Sequence, residues 1–293
     1  MKATEWKVGM SSCCAGVIDR ALFEQYAAAG IDCMEVSYGI KERADSADFA
    51  QVGKDARATG VQLWSLHLPF APFSAINIAS PDKDIRRFTV DYLSELIKKG
   101  GDIGIPVAVI HPSGEPNPDN ERADRTNYAA ECLSKLAEAA ACSGMTIAVE
   151  DLPRTCIGNH SDDFKVLLSA DERLRVCFDT NHLLIQENAD FVRAVGDKII
   201  TLHVSDYDKR NERHWLPGEG KVDWVELVTL LEEVGYTGPW MYEIGFGAPK
   251  SITRRTLTCE DFYANYKAVT AKQKPEVLGV PVQSECDANA YIK

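Results

Sequence analysis

The chain has 293 residues, of which 45% are hydrophobic and 26% are charged. This composition excludes a disordered chain, and the length suits one large α/β domain. A formal net charge of −12 argues against nucleic acid as the partner, because nucleic-acid binders usually present a basic surface. No apolar run approaches the roughly 20 residues that cross a bilayer, so we expect no membrane partner.

The N-terminal sequence lacks the apolar stretch of a secretory signal. The nine cysteines are odd in number and scattered, and no CxxC pair occurs among them. Reduced, mostly buried thiols are the better interpretation of such a pattern than a disulfide framework. We therefore expect a cytoplasmic location.

Eight short runs of apolar and β-branched residues predict strands. They alternate with longer stretches whose apolar residues recur at three- and four-residue steps, which predicts helices. The predicted strands cover residues 6–12, 32–38, 62–69, 107–112, 146–153, 174–182, 199–206 and 240–246. The clearest helical stretches cover residues 20–30, 88–100, 127–144 and 224–235, and each ends at a glycine, a common helix stop.

Strict alternation of strands and helices predicts parallel strands with helical crossovers, and eight such units close a barrel. The main rival is a doubly wound open sheet, but no GxGxxG or Walker-type loop follows the first strand. We therefore predict a single-domain α/β protein with a (β/α)8 TIM barrel over residues 1–270. Residues 271–293 lack periodicity and predict a C-terminal arm, packed on the barrel or used between subunits of a homo-oligomer.

Carboxylates and imidazoles lie at the ends of seven predicted strands, where barrels carry their catalytic groups. They are Glu35, His67, His111, Glu150, Asp151, Asp179, His182, His203, Asp206 and Glu243. Burying several carboxylates together is costly, and a bound divalent cation removes that cost. Mixed imidazole and carboxylate ligation favours Mn²⁺, Zn²⁺, Fe²⁺ or Co²⁺ over Ca²⁺. We expect Asp151 and Asp206 to orient neighbours instead of binding metal.

Six motifs occur in a fixed order along the chain. They are SLHLPF, VIHPSG, AVEDLP, CFDTNH, LHVSD and HWLPGEGKVDW, and Glu243 follows in WMYEIG. In this combination the chain resembles the xylose isomerase-like TIM barrel superfamily over about residues 6–270. That superfamily includes sugar isomerases, ketose 3-epimerases, inosose dehydratases, hydroxypyruvate isomerases and the endonuclease IV group of AP endonucleases.

The resemblance implies that one metal ion is held by Glu150, Asp179, His203 and Glu243, and that His182 binds substrate. In ketose 3-epimerases the two metal-bound glutamates also exchange protons with the sugar carbon, which gives Glu150 and Glu243 catalytic roles. The chemistry is coherent, because a metal that polarises the carbonyl stabilises an enediolate and a carboxylate beside the carbon moves the proton.

The chain departs from the epimerase pattern at two positions. Cys156 stands where a second glutamate is expected, and Lys209 stands where an arginine is expected. A rival resemblance is to endonuclease IV, which needs additional ligands. The candidates for substrate binding or additional metal are His67, His111, His182, His214 and Glu212, the last at a position where an aspartate is expected.

We predict a metal-dependent isomerase or epimerase of a sugar, sugar phosphate or polyol that works by proton transfer through an enediolate. The alternatives are an endonuclease IV-like multinuclear zinc phosphodiesterase and a metal-dependent lyase or dehydratase of an inosose-like substrate. A sugar-binding module on a decayed barrel is also considered, but the complete ligand set argues against it. Barrels often bind phosphate near loops seven and eight, so Lys209, Arg213 and Arg254 are candidate anion-binding residues.

Overall fold

Eight parallel strands form a closed barrel in the computed structural model, which describes residues 1–13 and 15–282. The strands are β1 (Val8–Ser11), β2 (Cys33–Ser37), β3 (Gln62–His67), β4 (Val107–Ile110), β5 (Thr146–Glu150), β6 (Arg175–Asp179), β7 (Ile199–His203) and β8 (Trp240–Tyr242). They pair in the order β7-β6-β5-β4-β3-β2-β1-β8, and a parallel bridge between Val204 and Tyr242 closes the barrel. The predicted fold is confirmed, and each observed strand lies within its predicted segment.

Helices connect the strands on the outside of the barrel. They are α1 (Arg20–Ala28), α2 (Lys41–Asp45), α3 (Phe49–Thr59), α4 (Lys83–Asp102), α5 (Arg122–Cys142), α6 (Ser161–Leu167), α7 (Asn188–Val195), α8 (Trp224–Glu233) and α9 (Cys259–Thr270). Aspartates cap the N-termini of several, as Asp19 does for α1 and Asp223 for α8. None of the described helices is both long and apolar enough to span a membrane.

One helix runs past the glycine at which the sequence predicts its end. Helix α4 continues through Gly100 and Gly101 to Asp102. A Cβ atom on Gly100 would lie 3.0 Å from the Leu66 side chain, and one on Gly101 would lie 2.3 Å from the backbone oxygen of Ser143. These glycines therefore serve close packing of the helix against its neighbours, which a helix-stop rule does not anticipate.

Side-chain alternation along the strands decides which residues enter the barrel mouth. Residues two apart on a strand point to the same face, so Glu150 follows Ala148 and Asp179 follows Cys177. A small apolar cluster, separate from the main core, is formed by Val107, Val109, Ala148 and Cys177. This cluster fills the barrel one layer below the carboxylates, so the polar groups lie on an apolar base.

The loop between β7 and α8 is organised by the buried carboxylate of Asp206. Its oxygens accept hydrogen bonds of 2.8 to 3.1 Å from the backbone N–H groups of Tyr207, Gly218 and Val222 and from the indole N–H of Trp224. A Cβ atom on Gly220 would lie 2.2 Å from the Asp206 carboxylate, so glycine is required there. Asp206 thus orients its neighbours.

The C-terminal arm lies against the loops of the mouth as far as the structure describes it. Strand β10 (Val280–Pro281) pairs antiparallel with β9 (Ile252–Thr253), and Pro275 packs closely against Gly218. Residues 271–282 therefore pack on the barrel. The remainder of the predicted arm, residues 283–293, lies outside the described residues, and both the domain boundary and a role between subunits stay predictions.

The Asp206→Asn substitution is expected to lower the free energy of unfolding by about 1–3 kcal/mol, because the amide nitrogen would face N–H donors. Denaturant-induced unfolding measures this loss. The control is Asp197→Asn, since the Asp197 side chain is 81% exposed, and its effect should stay within about 0.5 kcal/mol. An Asp206→Asn protein as stable as the parent would contradict the assigned role.

Candidate metal centre and substrate cavity

Four side chains converge at the carboxyl ends of successive strands. Glu150, Asp179 and His203 end β5, β6 and β7, and Glu243 directly follows β8. One potential ligand atom from each lies within 4.8 Å of those of the other three. The residues at which the sequence predicts a metal thus lie together at one end of the barrel.

The chemistry of this group fits a divalent cation. The Oδ2 atom of Asp179 is buried and has no hydrogen-bond partner among the described residues, although burying a charged oxygen without a partner is costly. It lies 3.9 Å from Nδ1 of His203 and 3.6 Å from Nε2 of His182. A set of carboxylate oxygens and imidazole nitrogens suits Mn²⁺, Zn²⁺, Fe²⁺ or Co²⁺.

Glu150 is surrounded by imidazoles. Its Oε2 atom lies 3.1 Å from Nε2 of both His67 and His111, and its Oε1 atom lies 2.8 Å from Nδ1 of His203. Burial alone would raise the pKa of Glu150, but His203 and His111 outweigh burial and hold this pKa well below its usual range. Burial likewise opposes protonation of His67, yet its hydrogen bond to Glu150 raises the pKa of His67 to about 9.

Glu243 has the opposite electrostatic character. Burial raises the pKa of the Glu243 carboxyl to about 7, and the charges of Glu150 and Asp179 act in the same direction against the attraction of His203. A carboxyl group with this pKa exchanges its proton near neutral pH. The pKa values of the two glutamates are therefore shifted in opposite directions. Glu150 stays anionic, and Glu243 is close to half protonated at neutral pH.

Glu35 orients the histidine of the centre from behind. Its Oε2 atom lies 3.0 Å from Nε2 of His203, and the hydroxyl groups of Ser11 and Ser65 donate hydrogen bonds of 2.8 Å to its two oxygens. This leaves Nδ1 of His203 facing the other ligands, the arrangement by which a carboxylate orients a metal-bound imidazole. The sequence pattern includes Glu35 among the residues at strand ends but predicts no role for it.

Asp151 also orients its neighbours. Its Oδ1 atom accepts a hydrogen bond of 2.7 Å from the backbone N–H of Asp179, and its backbone oxygen lies 2.8 Å from Nδ1 of His182. Asp151 therefore contacts one residue of the centre and one candidate substrate ligand.

A second group of possible ligands lies beside the first. His182, Glu212 and His214 offer ligand atoms within 4.8 Å of one another. His214 adopts a left-handed backbone with φ of 51°, and its Nδ1 atom lies 3.0 Å from the backbone oxygen of Glu243. The side-chain oxygen of Asn181 accepts a hydrogen bond of 2.7 Å from the N–H of Arg213 and so helps to hold this loop.

A cavity of about 210 Å³ opens beside both groups. Its polar lining comprises His67, His111, Ser113, Glu115, Glu150, Arg154, His182, Glu212, His214 and Glu243. An apolar wall faces them, formed by Phe70, Phe73, Leu152, Pro153 and Cys156. Phe70 stacks on His111 with ring centroids 4.2 Å apart. The cavity suits a small molecule with several oxygens and one apolar face.

Two charged residues of the cavity, Arg154 and Glu115, were not singled out in the sequence. Arg154 lies in the loop after β5 and has a positive φ of 53°. Nothing in the sequence around Arg154 predicts that its side chain lines the cavity, because a single arginine in a loop is ordinarily a solvated surface residue. The spacing of loop residues alone does not indicate contacts between different loops.

The three candidate anion-binding residues already contact carboxylates. Lys209 pairs with Glu187, Nη2 of Arg213 lies 2.8 Å from Asp208, and Nη1 of Arg254 lies 2.5 Å from Glu219. None of the three is among the described residues that line the cavity. The geometry therefore gives no support to a phosphate site built from them.

Comparison with known proteins identifies the family. The profile of the xylose isomerase-like TIM barrel family matches residues 23–258. The chain belongs to this family. A solved structure described as a D-tagatose 3-epimerase-like protein superposes with a TM-score of 0.72 at 23% identity, over 82% of this chain and 90% of that one, which supports the fold.

Curated relatives carry different descriptions. An uncharacterised protein of Methanocaldococcus jannaschii is 29% identical over 57% of this chain and 60% of its own length, less than two thirds of that protein. A D-psicose 3-epimerase of Ruminiclostridium cellulolyticum is 24% identical over 75% of this chain and 76% of that enzyme. A probable endonuclease 4 of Mesoplasma florum is 28% identical over 58% of this chain and 62% of that protein.

The Glu35→Gln substitution should weaken metal binding by roughly 10- to 100-fold, because the carboxylate that fixes His203 is lost. Isothermal titration with Mn²⁺ or Co²⁺ measures the affinity. Glu95→Gln, on the exposed face of α4, makes the same chemical change elsewhere and should leave the affinity unaltered. Equal affinities for the two variants would show that Glu35 does not orient a ligand.

Metal affinity should fall as the pH drops through 7. Glu243 is mostly protonated at pH 6 and ionised at pH 8, so a cation must displace its proton at the lower pH. For one such proton the apparent affinity should decrease about tenfold between pH 8 and pH 6. Titrations at both pH values test this, and Glu243→Gln should lose only the part that Glu243 contributes. A further decrease at low pH should remain, because Cys177 and Glu35 raise the pKa of His203 well above its usual value against the effect of burial. An affinity that is constant, or higher at pH 6, would contradict it.

Proposed function

We propose that the protein is a divalent-metal-dependent epimerase or isomerase of a sugar or related polyol. The observation that carries the proposal is the convergence of Glu150, Asp179, His203 and Glu243 beside a cavity of small-molecule size. A bound divalent metal would supply charge stabilisation to a substrate carbonyl and its enediolate.

Glu150 and Glu243 would move the protons. They approach the centre from β5 and from the end of β8, so a substrate carbon held between them is reached from two sides. Without a bound metal, burial raises the pKa of Glu243 to about 7, and as an ionised ligand Glu243 would take a proton from the substrate carbon and return it. Glu150 is held as an anion by neighbouring histidines, chiefly His203 and His111, which keeps it in the ionised form that a metal ligand or a base requires.

Histidines of the cavity would hold the substrate hydroxyl groups. His182 lies between the centre and the second ligand group, and His111, also in the lining of the cavity, is stacked on Phe70. Imidazole nitrogens donate or accept hydrogen bonds with hydroxyl groups, and an aromatic ring packs on the C–H face of a sugar. The D-psicose 3-epimerase relative supports a sugar as the substrate class.

The two departures from the epimerase pattern bear on the choice of sugar. Cys156 lines the cavity among apolar neighbours, so it offers no charge where a glutamate was expected. Lys209 pairs with Glu187 and lies outside the described lining of the cavity. The substrate contacts at these positions would therefore differ from the expected pattern.

Glu150→Gln and Glu243→Gln should each reduce turnover by orders of magnitude while leaving the barrel folded, because each keeps the shape and removes the basic oxygen. A panel of aldoses, ketoses and inososes, assayed with saturating Mn²⁺ or Co²⁺ and with EDTA, identifies the substrate. Solvent deuterium should enter the substrate carbon. Near-normal activity in both variants, together with no exchange in any accepted substrate, would exclude this mechanism.

A multinuclear phosphodiesterase is the second candidate function. The observation that favours it is the second ligand group, His182, Glu212 and His214, and the endonuclease 4 relative agrees with it. The net charge of −12 and the carboxylate partners of Lys209, Arg213 and Arg254 argue against a nucleic-acid substrate. Nicking of abasic-site DNA by purified protein would decide for this function.

The metal identity is part of the proposal, and we expect Mn²⁺, Co²⁺, Zn²⁺ or Fe²⁺ from the ligand types. The cytoplasmic location and a homo-oligomeric state stay predictions. Six of the described cysteines carry free thiols, which agrees with a reducing compartment: Cys33, Cys132, Cys142, Cys156, Cys177 and Cys259.

A further inference from the structure

The guanidinium group of Arg154 joins three loops at the rim of the cavity. Its Nη2 atom lies 2.7 Å from Oε1 of Glu115, in the loop after β4, and its Nε atom lies 3.1 Å from both oxygens of that carboxylate. Its Nη1 atom lies 2.8 Å from Oε1 of Glu212 and 3.2 Å from Oδ1 of Asn211, both in the loop after β7. The side chain is only 13% exposed.

This contact reaches the second ligand group directly. While Oε1 of Glu212 contacts Arg154, its Oε2 atom lies 3.4 Å from Nε2 of His182. One carboxylate is thus shared between a fixed positive charge and the histidines that could hold a second ion. The distance of 2.8 Å between Nη1 of Arg154 and Oε1 of Glu212 is that of a charge-assisted contact, so we treat the pair as ionic.

We propose that Arg154 limits the site to one divalent metal ion, because its positive charge lies beside the second ligand group and repels a second cation there. The inference rests on the metal centre of the proposed function. The second group has the ligand types of a multinuclear metal site. Arg154 would therefore favour single-metal sugar chemistry over multinuclear chemistry.

The argument follows from charge and geometry. Arg154 shares its single positive charge between Glu115 and Glu212, so the Glu212 carboxylate offers a cation less negative charge than it would without this contact. A divalent ion bound at Oε2 of Glu212 would also lie within roughly 6 Å of the guanidinium, close enough for strong repulsion in a partly buried site. Glu115 keeps Arg154 from turning away, because it holds the guanidinium through a two-pronged contact.

Metal counting on purified full-length protein tests the proposal. The parent protein, dialysed against Zn²⁺ or Co²⁺, should retain about one ion per chain by elemental analysis. Arg154→Met removes the charge and should retain a second ion, with an affinity at this second site at least about tenfold higher than in the parent. With Co²⁺, the added ion should appear as new visible absorption.

Three further variants serve as controls. Arg154→Lys keeps the charge and should stay at one ion, as should Lys209→Met, which removes a positive charge from the same loop as Glu212. Adding Glu212→Gln to Arg154→Met should return the count to one. If Arg154→Met does not fold, as judged by circular dichroism, Arg154→Gln keeps polar contacts and also removes the charge.

Each other outcome contradicts the proposal. One ion in the parent and in the uncharged Arg154 variant, even with a raised KM, would make Arg154 a substrate-contacting or structural residue and leave the proposed function intact. Two or three ions in the parent would show that Arg154 does not limit the count. A parent protein that binds no ion at all would overturn the metal centre, and with it the proposed function.

Discussion

The cost of burying like charges together governs the mouth of this barrel. Glu35, Glu150, Asp151 and Asp179 are buried within one region, and Glu243 is nearly so. Such a set is stable only if positive groups lie among the carboxylates or some of the carboxyl groups keep their protons, as burial favours for Glu243. Imidazoles provide part of this compensation, above all His203 between Glu35 and Glu150. The buried Oδ2 atom of Asp179 has no hydrogen-bond partner among the described residues, so a bound cation would supply the positive charge that protein groups do not.

The sequence was sufficient to predict the fold and the convergence of the candidate ligands at one end of the barrel, and the reason is geometric. Parallel strands bring their carboxyl ends together, so a residue such as Glu150 or Asp179 at a strand end is placed by the barrel itself. The two-residue alternation then directs both into the same mouth, one layer above Ala148 and Cys177. No knowledge of the loops is needed for that inference.

Contacts between loops could not be predicted in the same way. The contact of Arg154 with Glu115 and Glu212 spans 39 and 58 positions of the chain and depends on loop conformations, including a positive φ at Arg154. The pairing of Lys209, Arg213 and Arg254 with carboxylates also arises from the packing of loops. A charge count from the sequence therefore suggested an anion site, because it cannot show which cations are already neutralised.

The pairing of β9 with β10 has a consequence for engineering the protein. The N–H of Val282 donates to the backbone oxygen of Ser251, and the hydroxyl of Ser251 accepts from the indole of Trp215, the residue after His214. These two hydrogen bonds connect the arm, through Ser251, to the loop that carries His214 at the rim of the cavity. Substitutions in residues 274–282 can therefore alter the packing at this rim and leave every candidate ligand unchanged in the sequence.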